Sequence, residues 1–350
     1  MILVYRYRVK SLNGLLSQQA RAVNFVWNYC NDRQKDALRF GRKWLTGFDL
    51  NRLTSGAGKD LRLHSGTVNA VCEQYAKSRS QKRRPFLRYR GRKSLGWVPL
   101  KGRNLEETPN GFRFHSRQFK VFKSRDLPAG ARIKDGTNFA QDARGHWFLN
   151  VCIEVADVVA REPVRGVGID LGLNNFATLS TGESIANPRH KRKLEPMLAK
   201  AQRARKKRQT TRIHASIANA RRDFLHKTAL GIVRRFDYIA VGNVSSARLA
   251  RTNMAKSVLD AGWSSFRHML AYKAMRHGAT YEEVNESFSS QVCSSCGSLP
   301  PERPKGLADL GIRRWLCSAC GSDHDRDVNA ALNLLARSGH RAPGEGISAR

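Results

Sequence analysis

Two Cys-x-x-Cys-Gly knuckles near the end of the chain constrain its fold more than any other feature. They are Cys293-x2-Cys296-Gly297 and Cys317-x2-Cys320-Gly321, separated by 20 residues. Each turn presents two thiolates and the glycine lets it close, which is the spacing of a tetrahedral zinc ribbon. Four thiolates leave no coordination position open. Cys293, Cys296, Cys317 and Cys320 are therefore expected to hold a structural Zn2+. His324, four residues past Cys320, is a competing donor for a coordination sphere already full. The remaining cysteines, Cys30, Cys72 and Cys152, are far apart in apolar contexts and read as buried free thiols in a reducing compartment.

A chain of 350 residues has room for two or three domains. Its 63 basic against 28 acidic residues give a formal net charge of +35. Such a surface repels itself and calls for a polyanion, nucleic acid first. The sequence holds no apolar run of about 18 residues, and Met1–Arg8 alternates like a strand, without a signal peptide's apolar stretch. The expected setting is cytoplasmic and nucleoid-associated, with no membrane partner.

Residues 1–10 read as a strand. From about 14 to 82 the period is helical, with Val23, Val26, Trp27 and Cys30 on one face and Val68, Val71, Cys72 and Tyr75 on another. Short alternating stretches bounded by turn residues follow to about 160, which predicts a β-barrel domain (1–13 and 84–160) carrying a helical insertion (14–83). Glu162–Arg165 reads as a linker. After it come an apolar strand ending in Asp170 and a second strand, 175–180. A basic helical stretch, about 187–236, leads to a buried strand at 238–242. An amphipathic helix through Leu259, Trp263, Phe266 and Leu270 precedes a strand at 280–288, and a last helix runs from about Asp325 to Arg337. That alternation predicts an α/β multidomain protein with an RNase H-like core (164–288 and 322–337), an inserted zinc ribbon (289–321) and a disordered tail (338–350).

Carboxylates from converging elements can hold two divalent cations about 4 Å apart for phosphodiester hydrolysis. Asp170, at a strand end, and Asp327, in the first turn of the last helix, suit that task. Asp170 could instead cap the turn before Gly172, and Asp327 could merely complement the helix dipole. Asp323 and Asp325 read as supporting or surface acids.

The stretches Val167-Gly168-Ile169-Asp170-Leu171-Gly172, Leu225-His226-Lys227, Phe288–Cys293, both knuckles and Asp325-Arg326-Asp327-Val328-Asn329-Ala330-Ala331 closely resemble the TnpB (OrfB) proteins of insertion sequences. These are compact relatives of type V CRISPR effectors and of Fanzor proteins. The resemblance is most specific from 166 to 336. It implies an RNA-guided DNA endonuclease with a RuvC-like site, a wedge-like β-domain and a recognition insertion. It also implies an element-encoded guide RNA and a double-stranded DNA target beside a short motif, in a monomer or homodimer. The family's first and third aspartates fall on Asp170 and Asp327. Its glutamate at the end of the fourth core strand falls on Gly242, which cannot bind metal. Some relatives carry that glutamate on the next strand, where this chain has Glu286. Asp170, Glu286 and Asp327 are then the expected catalytic and Mg2+-binding set for two ions, with Glu283 the next acid available. If Glu286 is only a surface acid beside Glu282 and Glu283, the chain reads as a nuclease-dead RNA-guided DNA-binding regulator. A zinc-ribbon DNA-binding protein without guide RNA is the third reading.

Two basic stretches complete the expectation. Lys191–Arg208 is dense enough to track a guide–target heteroduplex through Arg203, Arg205, Lys206, Lys207 and Arg208. In the segment Lys82–Lys93, Arg83, Arg84 and Arg88 interleave with Phe86 and Tyr89, a mixture suited to unpaired RNA bases.

Overall fold

The computed structural model of the protein describes residues 1–244, 254–305 and 308–339, in two compact units that divide after Ala156. The tail expected to be disordered lies outside the described residues from 340 onward, as do 245–253 of the expected core and 306–307 of the expected ribbon.

In the first unit, β1 (Ile2–Val9) buries Leu3, Tyr5, Tyr7 and Val9 and turns Ile2, Val4, Arg6 and Arg8 outward, the period of two that its alternation dictates. Helices α1 (Asn13–Arg39), α2 (Gly47–Leu53), α3 (Ala57–Asp60) and α4 (Ser65–Gln81) follow. Their apolar stripes meet, so that Cys30 and Cys72, distant in sequence, lie with sulfurs 3.7 Å apart and both buried. Period alone marks an apolar face without saying which face it will meet.

The chain then returns through β2 (Trp97–Pro99), β3 (Leu105–Thr108), β4 (Gly111–Phe114), β5 (Arg117–Phe122), β6 (Arg132–Ile133), β7 (Asn138–Gln141) and β8 (Trp147–Glu154). These join β1 in one antiparallel sheet of order β2-β7-β8-β1-β5-β4-β3, with β6 also on β8. The barrel expectation needs correction here. The pairing path ends at β2 and β3, which do not bond to each other, and Pro99 in β2 has no N–H to offer.

The second unit opens with β9 (Gly166–Leu171), β10 (Asn175–Leu179) and β11 (Ser184–Ala186), then α5 (His190–Arg203), α6 (Lys207–Arg235) and β12 (Tyr238–Gly242). It continues with α7 (Ala255–Ala261), α8 (Trp263–His277), β13 (Thr280–Val284), β14 (Arg314–Leu316), β15 (Asp323–Asp325) and α9 (Arg326–Arg337). Five strands form a sheet of order β11-β10-β9-β12-β13. The first three are antiparallel, and β12 runs parallel to both β9 and β13. On one face Val167, Ile169, Phe176 and Val241 pack with Leu225 and Ile232 of α6 and Phe266 and Leu270 of α8. On the other, Tyr238, Ala240 and Val284 meet Leu334 and Leu335 of α9. The sheet is thus covered on both sides, as its near-continuous apolar strands require.

Three boundaries differ from expectation. The basic helix is two, broken at 204–206, where Arg205 takes a left-handed φ of 53°. The helix through Leu259 is also two, broken at Gly262 with φ 72°, and Leu259 is exposed. The strand expected to 288 stops at Val284, so Glu286 stands in the loop beyond it.

Candidate functional site

Alternation along β9 sends Val167, Ile169 and Leu171 into the core beneath α6 and α8, and leaves Gly168 and Asp170 on the α9 face. Gly168 is there because α9 lies directly on it. A Cβ at 168 would come within 1.9 Å of the Ala331 carbonyl oxygen, so any other residue would force the helix off the strand. Close approach draws the first turn of α9 toward the end of β9. There, burial and then the like charges of Asp327 and Glu286 push the Asp170 carboxyl up to about 7, against the pull of Arg326 and Arg313. Asp170, Glu286 and Asp327 therefore share one electrostatic site although they are far apart in sequence.

Gly242 ends β12, one strand from Asp170, in register with Val284 of parallel β13. A Cβ built on Gly242 would sit 3.2 Å from Glu286 Oε2 and 3.4 Å from Glu286 Cβ. The Glu286 side chain thus lies over the bare backbone of 242, in the space a side chain at 242 would take. The Asn243 side-chain oxygen accepts from the Glu286 N–H at 3.4 Å, and Arg337 Nη1 donates to the carbonyls of Asn285 and Ser287 at 2.9 and 2.7 Å. Burial pushes the Glu286 carboxyl up, opposed by the Arg267 charge. The neighbouring acids are committed elsewhere. Glu282 accepts from the Tyr238 hydroxyl, while Glu283 faces α8 and accepts from Arg267 Nη1 and the Tyr281 hydroxyl, each at 3.0 Å.

Asp327 is positioned by Asp325, whose carboxylate caps α9 by accepting from the N–H groups of Asp327 and Val328 at 3.0 and 2.9 Å. Arg313 Nη1 lies 3.2 Å from each Asp327 oxygen. Asp323 belongs to β15, which pairs with β14 and runs straight into α9. Among the described residues, only the four cysteines bring three or more potential ligand atoms within 4.8 Å of one another. The three carboxylates do not come that close to one another.

The thiolates of Cys293, Cys296, Cys317 and Cys320 make the donor set of a closed tetrahedral site, which fits a structural Zn2+. His324 is buried against Trp315, and its Nε2 lies 3.0 Å from Cys293 Sγ. That is hydrogen-bond reach of one ligand, the place of a group that orients a thiolate rather than of a fifth donor. Two asparagines to which the sequence assigns no role of their own tie this module to α9. The amides of Asn329 and Asn333 both donate to the Ser289 and Val292 carbonyls, and Asn329 Oδ1 accepts from the Ser294 N–H. Their spacing of four along a helix was the available signal. Nothing in the sequence marks Arg313.

Of the expected nucleic-acid contacts, Arg203, Arg205, Lys206, Lys207 and Arg208 are all exposed at the corner between α5 and α6. Arg83, Arg84, Phe86, Arg88 and Tyr89 are exposed on the segment between α4 and β2. Among the described residues, no helix is long and apolar enough to cross a membrane.

Residues 150–253 match the family model OrfB_IS605, described as "Probable transposase", and residues 263–334 match the Cas12f1-like TNB domain. A protein of Streptomyces pristinaespiralis that carries RNA-guided DNA endonuclease in its name is 36% identical over 279 residues, 73% of this chain and 66% of its own length. InsQ of Escherichia coli K12, named in the same terms, is 28% identical over 56% of this chain and 54% of its own length. A TnpB-like protein of Acanthamoeba polyphaga mimivirus is 28% identical over 41% of this chain and 28% of its own length. The chain thus spans about two thirds of the first of these relatives and about half or less of the other two. A Cas12f1–sgRNA–target DNA complex aligns over 95% of this chain and 98% of that one, with a TM-score of 0.40 at 13% identity.

Proposed function

We propose, for a chain that belongs to the TnpB (OrfB) family of insertion-sequence nucleases, that it is an RNA-guided DNA endonuclease with a relocated catalytic glutamate. Residues 164–288 and 322–337 form its RuvC-like core and 289–321 its zinc ribbon. Residues 1–13 and 84–160 form a wedge-like domain, and 14–83 a recognition insertion. Its partners are an element-encoded guide RNA and a duplex DNA target.

One observation carries the reading: Glu286 Oε2 lies 3.2 Å from where a Cβ of residue 242 would be. A carboxylate thus reaches the functional position of β12 from the loop after β13. Chance loss of the glutamate at 242 would not bring another acid into its space. Asp170, Glu286 and Asp327 would hold the divalent cations, and an Asp170 carboxyl held near 7 by burial first and then by its acidic neighbours is one that a bound cation would stabilise in its charged form. Mg2+ bound there supplies Lewis-acid stabilisation of the phosphodiester and activation of water. The protein's own part is to fix the three carboxylates on β9, the β13 loop and α9, and to hold the nucleic acid by phosphate contacts at the α5–α6 corner. Base pairing with the guide reads sequence, and the first unit supports the guide.

The test is plasmid cleavage by the protein with its guide RNA and Mg2+. Wild-type protein should cut next to a short motif, and Glu286→Ala should abolish cutting while leaving guide-directed binding intact. Glu282→Ala and Glu283→Ala should be mild, since those acids serve Tyr238, Arg267 and Tyr281. A wild-type complex that binds its target and never cuts it is the regulator instead.

A further inference from the structure

Residues 82–94 hold the densest mixture of basic and aromatic side chains in the first unit and form no helix or strand. They are nonetheless strapped along α1. The Leu87 N–H donates to Asn31 Oδ1 at 2.9 Å, and Trp27 Nε1 donates to the Arg88 carbonyl at 3.2 Å. The Arg90 backbone exchanges two 2.8 Å hydrogen bonds with the Asn28 amide, and Arg90 Nε donates to Asn24 Oδ1 at 2.7 Å. The Tyr89 hydroxyl meets the Asp32 carboxylate and accepts from Lys35 Nζ at 3.0 Å. Asn24, Asn28 and Asn31 fall at i, i+4 and i+7, one face of a helix. A primary amide carries a donor and an acceptor as a peptide group does, so this face of α1 offers the segment backbone-like partners in place of a neighbouring strand.

The strap buries Leu87 and leaves Arg84, Phe86, Arg88 and Tyr89 exposed. It borders an open cavity of about 680 Å³ lined by Trp27, Arg84, Leu87, Arg88, Tyr89 and Arg92.

We propose that this strap and α1 form a pre-ordered site for an unstacked nucleotide of single-stranded RNA. The assignment rests on the RNA-guided reading for which RNA enters it. Aromatic side chains in the lining, Trp27 and Tyr89, suit a base, and the guanidinium groups beside them suit the phosphates on either side. A paired, stacked base cannot enter a pocket of this kind, so duplex DNA is not the ligand. Because the strap is already held, binding does not have to order it, and the asparagines act as positioning residues that never touch the RNA.

The experiment uses the full chain in EDTA and a fluorescein-labelled oligouridylate, with affinity read as a function of salt. Tyr89→Ala should weaken binding roughly tenfold or more, while Tyr89→Phe retains most of it. Arg88→Ala should weaken binding and lower the salt slope by about one. Asn28→Ala should weaken binding with the slope unchanged, a separation that a lost phosphate contact would not give. Thermal melts by circular dichroism check that each variant folds, and the exposed Tyr89 pair carries the test if Asn28→Ala does not. Wild-type affinity in both Tyr89→Ala and Asn28→Ala overturns the site, and equally tight binding of oligothymidylate overturns its assignment to RNA. Binding that follows these variants in a protein that never cuts DNA leaves the pocket standing and removes the nuclease reading.

Discussion

Residue 242 has no side chain and Glu286 lies in the space one would take, which in the proposed site amounts to an exchange of one carboxylate position for another. The exchange should be reversible. In a Glu286→Ala background, Gly242→Glu should restore part of the lost cleavage, because the new carboxylate starts from the strand end beside β9 and no longer meets Glu286. In the wild-type background the same substitution should reduce cleavage, since a Cβ at 242 already crowds Glu286 Oε2; the plasmid assay reads both. Asp170 gives a second residue-scale expectation. Its carboxyl is held at about 7 in the folded chain, against the ordinary value of roughly 3.9. The folded state therefore binds this proton more tightly than the unfolded one, and stability falls as pH rises between the two values. The penalty is absent below about pH 4 and complete above about pH 7. Without divalent cations, Asp170→Asn should melt progressively higher than wild type over that interval. Mg2+ at pH 8 should raise the wild-type melting temperature more than that of the variant.

Elements carry the next level of the design, and α9 is the busiest. It presses on Gly168, presents Asp327 at its start, latches Ser289, Val292 and Ser294 through Asn329 and Asn333, and pins the Glu286 loop through Arg337. The cysteine module leads into it through β15 without an intervening loop. A structural metal there would fix the register of the helix as well as the fold of the knuckles. Elemental analysis should find one zinc per chain. Cys317→Ser or chelation should unfold the knuckles and also lower cleavage, although no cysteine belongs to the carboxylate site. Asn333→Ala, which leaves every thiolate in place, should cost about 1–2 kcal/mol in urea melts, the range for lost hydrogen bonds to buried carbonyls. Zinc content should stay at wild-type level.

Across the whole molecule, a net charge of +35 makes association with nucleic acid a counterion-release process. Replacing Arg203, Arg205, Lys206 and Lys207 together by alanine should weaken target binding and lower the salt slope by about one per side chain removed, with the motif preference unchanged. Filter binding over a salt series on the guide-loaded protein reads this directly; an unchanged slope would make the α5–α6 corner a solubility feature.

Local chemistry alone marked much of this protein. The Cys-x-x-Cys-Gly knuckles, the alternation of β1, the helical periods of α1 and α4, and the apolar strand ending in Asp170 were all legible, because spacing and period are properties of neighbours in the chain. Asp170, Glu286 and Asp327 could be named, but their convergence could not be derived from local pattern. It depends on β12 lying parallel between β9 and β13, and on a glycine that admits α9 against the sheet. The breaks at Arg205 and Gly262 were missed because apolar period resumes on the far side of each. The contact of Cys30 with Cys72, the asparagine faces of α1 and α9, and the place of Glu286 over Gly242 follow from which surfaces pack together. Packing is settled by shape and by the need to satisfy buried polar groups across the whole fold, and no window of sequence contains both partners.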